Sequence, residues 1–260
     1  MLRKGRRLEH LQSIAWQLLR YNLAAMTSET VLWTREAVVQ IKALIFDFDG
    51  LILDTETPDV HAWQNIYSEY GVVFPLESWG QIIGGMGASK FDAAIHLQSL
   101  LGYPLDLEAL QERQNHISHS LVEQQSILPG VLDYLREAKQ LNLKLAIASS
   151  SPHSWVEAHA KRLGIFEYFG KVVCSEDVGI GRTKPNPDLF LLVLDQLKVQ
   201  KEEAIVFEDS PNGVKAAKSA GIFVVAVPNP VTSLLSIENA NLILTSLSDL
   251  SLTDLLDKVQ

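Results

Sequence analysis

The sequence predicts an α/β protein: a doubly wound parallel sheet with an all-helical module inserted after its first strand. Three observations carry that expectation. An apolar run, Leu44-Ile45-Phe46, stops at Asp47-Phe48-Asp49-Gly50, as a buried strand does where it meets a turn. From Leu128-Pro129-Gly130 onward, short apolar runs alternate with amphipathic stretches, the pattern of a parallel sheet covered by helices on both faces. Between these two regions, residues 57–127 carry helical periodicity and no clear strand.

Within the inserted module, Val60, Trp63, Ile66, Tyr67 and Tyr70 recur at helical spacing up to Gly71. Trp63 lies on that apolar stripe and is expected in the module's own core. Trp79, Ile82 and Ile83 form a short second element stopped by Gly84-Gly85-Met86-Gly87. Phe91, Ala94, Ile95 and Leu101 form a third, ended by Gly102-Tyr103-Pro104, and Leu107 to Leu121 a longer fourth. Downstream, helix 131–140 leads to strand 143–148, helix 154–163 to strand 171–174, helix 187–197 to strand 204–208, and helix 211–220 to strand 222–227. A weaker strand at 242–244 precedes a last helix. Hinges are expected near Asp54 to Pro58 and Ser126 to Gly130, so the sheet domain comprises residues 41–56 and 128–260 and the helical module 57–127.

The chain has 260 residues, 47% of them apolar and 20% charged, the balance of a globular protein with a substantial core. Its net charge of −9 argues against nucleic acid as a general partner, which requires a basic surface. No stretch reaches the roughly 18 consecutive apolar residues of a membrane span. A cytoplasmic monomer without membrane contact is expected. The single cysteine, Cys174, follows Val172-Val173 and reads as a buried strand residue; there is no Cys/His constellation with zinc-ligand spacing. His116 and His119 share one face of a predicted helix and read as solvated surface.

Residues 1–40 differ from the remainder: Arg3, Lys4, Arg6, Arg7, Arg20 and Arg35 against Glu9, Glu29 and Glu36 give +3, leaving −12 for the rest. Leu8, Leu11, Ile14, Ala15, Leu18 and Leu19 at helical spacing suggest an amphipathic helix. Gln12, Ser13, Gln17 and Arg20 interrupt the apolar core that a secretory signal needs. An organelle-targeting leader, a poorly ordered extension, and an over-long start with Met26 as the true beginning remain as readings of this segment.

The polar strand ends carry the chemistry. Asp47 and Asp49, two residues apart, fall at the C-terminal edge of the first strand, where open α/β sheets place their sites; an acidic turn bonded to its own backbone is the alternative. The strand 143–148 runs into Ser149-Ser150-Ser151-Pro152, hydroxyls and backbone amides opening a helix, which suits an anion or an ordinary N-cap. Lys184 sits between Thr183 and Pro185, just before a helix started by Pro187. The strand 204–208 ends in Glu208-Asp209, repeating the first acidic end. Four carboxylates on one edge would raise one another's pKa unless a cation is present, and Mg²⁺ is the natural ion at a phosphate site because it shares its coordination with substrate oxygens. Gly179 and Gly181 make neither a Walker loop nor Gly-x-Gly-x-x-Gly.

Asp47-Phe48-Asp49-Gly50, Ser149 after an apolar strand, Lys184-Pro185, and Glu208-Asp209 after another strand resemble the four ordered motifs of the haloacid dehalogenase (HAD) superfamily, across residues 41–250. The helical insertion, with Asp54-Thr55-Glu56 at its start, resembles the subgroup that contains sugar-phosphate phosphatases and β-phosphoglucomutase. The resemblance implies a HAD-type Rossmannoid core with a helical cap and a phosphatase acting on a small phosphorylated metabolite, a sugar phosphate or nucleotide. By it, Asp47 would be the nucleophile that forms an aspartyl-phosphate, and Asp49 the acid that protonates the leaving alcohol and then the base that activates water. Mg²⁺ would be held by the Asp47 carboxylate, the Asp49 backbone carbonyl, Asp209, and Glu208 directly or through water. Ser149, Lys184 and the backbone at Ser150 would hold the phosphoryl oxygens, with amides near Phe48 and Asp49.

Two alternatives stand beside the phosphatase. A mutase of this family would grip a second phosphate with a cap arginine, but Gly84-Gly85-Met86-Gly87-Ala88-Ser89-Lys90 has none, and Asp59 stands where a histidine is expected; Lys90 is the candidate substitute. A catalytically silent relative that binds a phosphorylated ligand is the second. Glu56, His61, Met86 and Lys90 are the cap candidates for facing substrate.

Overall fold

A computed structural model describes residues 40–80 and 91–259. The N-terminal segment 1–39 and the cap positions Ile82, Ile83, Met86 and Lys90, with the whole loop from Gly84, lie outside the described residues. The elements run β1 (Ala43–Phe46), α1 (Glu56–Glu69), α2 (Leu76–Gly80), α3 (Ala93–Leu101), α4 (Leu107–Val122), α5 (Val131–Gln140), β2 (Lys144–Ala148), α6 (His153–Arg162) and β3 (Lys171–Val173). They continue with α7 (Ser175–Val178), α8 (Asp188–Leu197), β4 (Ala204–Glu208), α9 (Pro211–Ser219), β5 (Phe223–Ala226), β6 (Leu242–Ile243) and α10 (Leu252–Val259).

Six strands form one parallel sheet in the order β3-β2-β1-β4-β5-β6. β1 is central, and the chain leaves it first towards β2 and later returns to β4 on its other side. The two central strands thus flank the topological switch point where such sheets bind ligands. Alternation along each strand decides which helices cover which face. Leu44, Phe46, Leu145, Ile147, Ile205 and Phe207 pack with α5, α6 and α10, whereas Ala43, Ile45, Ala146, Ala148, Ala204 and Val206 face α8 and α9. Large side chains fill the first layer, with Phe46 and Phe207 stacked at 4.8 Å. The small side chains of the second admit Leu189, Phe190, Val193 and Leu197 of α8.

The helices inserted between β1 and α5 have their own core of Val60, Trp63, Ile66, Tyr67, Phe74, Ala94, Leu97 and Leu110, and Trp63 is buried there as expected. Asp92 and Asp106 cap α3 and α4, accepting from the Ile95 and Ala109 amides at 2.9 and 3.0 Å. Val231, from the segment after β5, also enters this cluster, so cap and sheet domain share packing.

Where the chain passes between the sheet and the inserted helices, Leu53 bridges to Ile127 and the Leu128 N–H donates to Ile52 O at 2.9 Å. Arg162 clasps the end of α4: its guanidinium donates to the carbonyls of Val122, Glu123 and Gln125 at 3.1–3.2 Å.

One local expectation is corrected. Cys174 is buried, but it lies past β3 as the residue before α7, where its amide donates to Asp177. A four-residue helix has no room for periodicity, and its start looked like the end of the strand. Among the described residues no helix is long and apolar enough to cross a membrane.

Gly130 starts α5 at φ +83°, and a β-carbon there would collide with the backbone of Leu247 and Ser248. Both the left-handed conformation and the contact exclude a side chain. Gly130→Ala is therefore expected to destabilise the protein by more than about 1 kcal/mol, read as a lower urea midpoint; an unchanged midpoint would show that the second hinge has slack.

Candidate active site

The C-terminal ends of β1 and β4 bring the acids together. Asp47 continues the ladder, its N–H donating to Phe207 O at 3.0 Å, and its side chain is buried. The following turn returns on itself through Ile52 N–H to Phe48 O (3.0 Å) and Gly50 N–H to Leu53 O (2.8 Å). Gly50 is at φ +78° and its missing side chain leaves room for the Asp209 carboxylate and the Asn229 amide. Asn229 Nδ2 donates to Asp209 Oδ2 at 2.8 Å and to Gly50 O at 3.2 Å, while Asn229 Oδ1 accepts from the amides of Val231 and Thr232.

Glu208 is held from the opposite side. Its Oε2 accepts from the amides of Asp209 and Ser210, at 3.1 and 3.3 Å, and from the Ser210 hydroxyl. A β-carbon at Gly213 would occupy the same space as this carboxylate. Ser210 also caps α9 by accepting from the Gly213 amide, so the N-terminus of that helix stabilises the negative end of β4.

Asp47, Glu208 and Asp209 place ligand oxygens within 4.8 Å of one another, all buried. Lys184, itself buried, pairs with Asp47 and with Glu208 at 2.5 Å, and lies 5.3 Å from the centre of the Phe190 ring. Burial alone pulls the lysine down, but Asp47 and Glu208 outweigh it and hold the ammonium above its ordinary range. Burial and then Glu208, opposed by Lys184, push Asp47 up to about 8. Burial, Glu208 and Asp47 push Asp209 well up. Three carboxylates against one cation leave negative charge uncompensated, and an all-oxygen donor set of this kind fits a hard divalent ion such as Mg²⁺.

The fourth acid is placed differently. Asp49 Oδ2 accepts from Ser149 Oγ (3.2 Å) and Ser151 Oγ (2.6 Å), and Asp49 Oδ1 accepts from the indole of Trp155 at 2.7 Å. Its side chain is therefore drawn away from the other three, so the expected gathering of four carboxylates is a group of three with a neighbour. Ser149 extends β2, its N–H donating to Val173 O, and Ser150 Oγ is buried without a hydrogen-bond partner. The amides opening α6 are less available than the sequence suggests: Ser151 N–H donates to Ser149 Oγ, and His153 N–H to the Glu176 carboxylate.

On the cap side, Glu56 is half-buried, and burial, then Asp59 and Asp49, push its carboxyl well up. Asp59 is tied to α4 by Gln114 Nε2 (3.1 Å) and by the Ser118 hydroxyl. His61 is exposed. His119 is exposed as well, yet its ring lies 5.0 Å from that of Trp155, a contact across the cap boundary. Trp155 and Asn229 are candidate site residues that periodicity and strand ends did not mark, and Ser151, noted only within the hydroxyl cluster after strand 143–148, turns out to bond Asp49. The Ser151 hydroxyl two residues after Ser149 was the only available signal.

The family model described as "Haloacid dehalogenase-like hydrolase" matches residues 44–227, well over half of the chain. YhcW of Bacillus subtilis (strain 168), named as a phosphatase, is 43% identical over 217 residues, 84% of this chain and 97% of that protein. The "Phosphorylated carbohydrates phosphatase" of Thermotoga maritima is 34% identical over 186 residues, 70% of this chain and 82% of its own length. Among solved structures, CbbY from Rhodobacter sphaeroides in complex with phosphate superposes with a TM-score of 0.63 at 25% identity, covering 84% of this chain and 100% of that one. With four ordered motifs, the sheet order and these likenesses in agreement, the chain belongs to the haloacid dehalogenase-like hydrolase family.

Proposed function

We propose that the protein is a Mg²⁺-dependent phosphomonoester hydrolase that works through an aspartyl-phosphate, on a small phosphorylated metabolite of the sugar-phosphate type. The observation that carries this reading is the buried group of Asp47, Glu208 and Asp209 around Lys184 at the switch point of the sheet. A nucleophile on the phosphoryl group and cations around its oxygens meet there, as phosphoryl transfer requires.

In the proposed reaction, an Asp47 oxygen attacks phosphorus as the bond to the leaving oxygen breaks, and Asp49 gives that oxygen its proton. Asp49 then takes a proton from water as the water oxygen bonds to phosphorus and the Asp47–phosphorus bond breaks. Lys184, Ser149, Ser150 and backbone amides would hold the phosphoryl oxygens. Asp47, Asp209, Glu208 and the Asp49 carbonyl would hold Mg²⁺, which when bound supplies charge neutralisation to the phosphoryl oxygens. Residues 57–127 serve as a cap that excludes bulk water.

Among the described residues, Glu56 and Asp59 of α1 lie close enough to Asp49 for their charges to act on one another. They suit a neutral, hydroxyl-rich leaving group better than a second phosphate, which supports hydrolysis over mutase chemistry. The T. maritima relative's name points to the same substrate class.

Asp47→Asn is expected to lower turnover of 4-nitrophenyl phosphate by about 10³-fold or more, with an unchanged circular dichroism spectrum; retained turnover would sink the assignment. Incubation of β-glucose 1-phosphate with a trace of its bisphosphate should release inorganic phosphate rather than form glucose 6-phosphate, the opposite product identifying a mutase. A pH dependence also follows. In chelator, buried Asp47 and Asp209 keep protons that the unfolded chain releases above about pH 4, so stability should fall as pH rises from about 4 towards about 8. Added Mg²⁺ should then raise the melting midpoint more at pH 8 than at pH 5.5, and an equal rise at both would contradict the charge accounting.

A further inference from the structure

Trp155 stands outside every motif, yet its indole N–H lies 2.7 Å from Asp49 Oδ1. It sits on one face of α6 with His159 and Arg162, at i, i+4 and i+7. The His159 ring meets the indole edge-to-face at 4.2 Å and accepts at Nδ1 from Arg162 Nε at 3.2 Å. Arg162 is also the residue that clasps the carbonyls at the end of cap helix α4. His119, on α4, packs against the same indole at 5.0 Å. A continuous row of side chains thus joins the hinge and the cap to one oxygen of one carboxylate.

We propose that Trp155 is a positioning residue that makes the two oxygens of Asp49 inequivalent, and that the cap holds it in place through His119. The inference rests on the reading of Asp49 as acid and base. An indole N–H donates and never accepts, so Oδ1 is anchored as an acceptor in both protonation states. The exchangeable proton is left to Oδ2, the oxygen beside Ser149. When Asp47 bonds to phosphorus and the ester P–O bond breaks, the Oδ2 proton passes to the leaving oxygen. When water attacks, Oδ2 receives the water's proton. Ser149 and Ser151 are hydroxyls that can rotate to other partners, whereas the indole is rigid and in contact with two imidazoles, so it is the one donor to this carboxylate that cannot turn away.

The test is the dependence of kcat/KM, which reports the first phosphoryl transfer, on the leaving group. Wild-type protein with Mg²⁺ and Trp155→Phe, which keeps an aromatic ring there and removes the donor, are compared on 4-nitrophenyl phosphate and on alkyl phosphates of increasing leaving-group pKa. A poor leaving group needs its proton and a nitrophenolate does not. The variant is expected to lose about 10-fold or more on the alkyl esters and less than about 3-fold on the nitrophenyl ester. Proportional losses on both classes, or none, would overturn the proposal. His119→Ala, at an exposed cap position, should show the same selectivity at smaller size, so a folding failure of the first variant leaves the test intact; equal rates on both classes in His119→Ala would count against the coupling. If the wild type hydrolyses none of these esters, the phosphatase reading fails, and this inference fails with it.

Discussion

The arrangement depends on one buried ammonium. Lys184 pairs with Asp47 at the end of β1 and with Glu208 at the end of β4, and all three are buried. Removing one partner of such a group leaves a buried charge uncompensated, a loss of about 3–5 kcal/mol. The pairs therefore tie two central strands and the 183–187 segment to one point. The same charge opposes, without cancelling, the upward push that burial gives Asp47 and Asp209.

Around that point, backbone space is allotted atom by atom. Gly50 makes room for Asp209 and Gly213 for Glu208, and in each case a single β-carbon would displace a carboxylate. Asn229 fixes Asp209 while the chain just beyond it, at Val231, is packed into the cap's core. The metal-type cluster and the cap are in this way joined through a loop of the sheet domain. Arg162, His159 and Trp155 make a second connection, from the cap's hinge to Asp49. Both routes are unbroken rows of side-chain contacts between the inserted helices and the site.

Much of the fold is legible in the sequence because burial imposes periodicity. Strands such as 204–208 and helices such as 131–140 appear at the expected residues, since each must hide one face or both. Short elements escape. α7 and the 3₁₀ turn Thr232–Leu234 span about one helical turn each, too short for a pattern to repeat, and Cys174 is read into a strand that ends one residue earlier. The site divides in the same way. Asp47, Glu208 and Asp209 are legible because charges at the ends of apolar runs are costly unless used, and Lys184 because it stands beside a proline just before a helix; they do converge. Asn229 and Trp155 are illegible because an asparagine after a proline and a tryptophan in a helix have ordinary local explanations.

By itself the sequence determined the order of elements, the insertion of the helices after β1, and the chemical kinds of group at each strand end. Those follow from local rules: period, turn residues and the cost of burying charge. Only the tertiary structure decided how the groups are shared. It drew three carboxylates together, two of them paired with Lys184, and turned the fourth, Asp49, towards two serines and an indole. That division is set by contacts across more than a hundred residues of chain, between strands and helices whose relative placement no local pattern encodes.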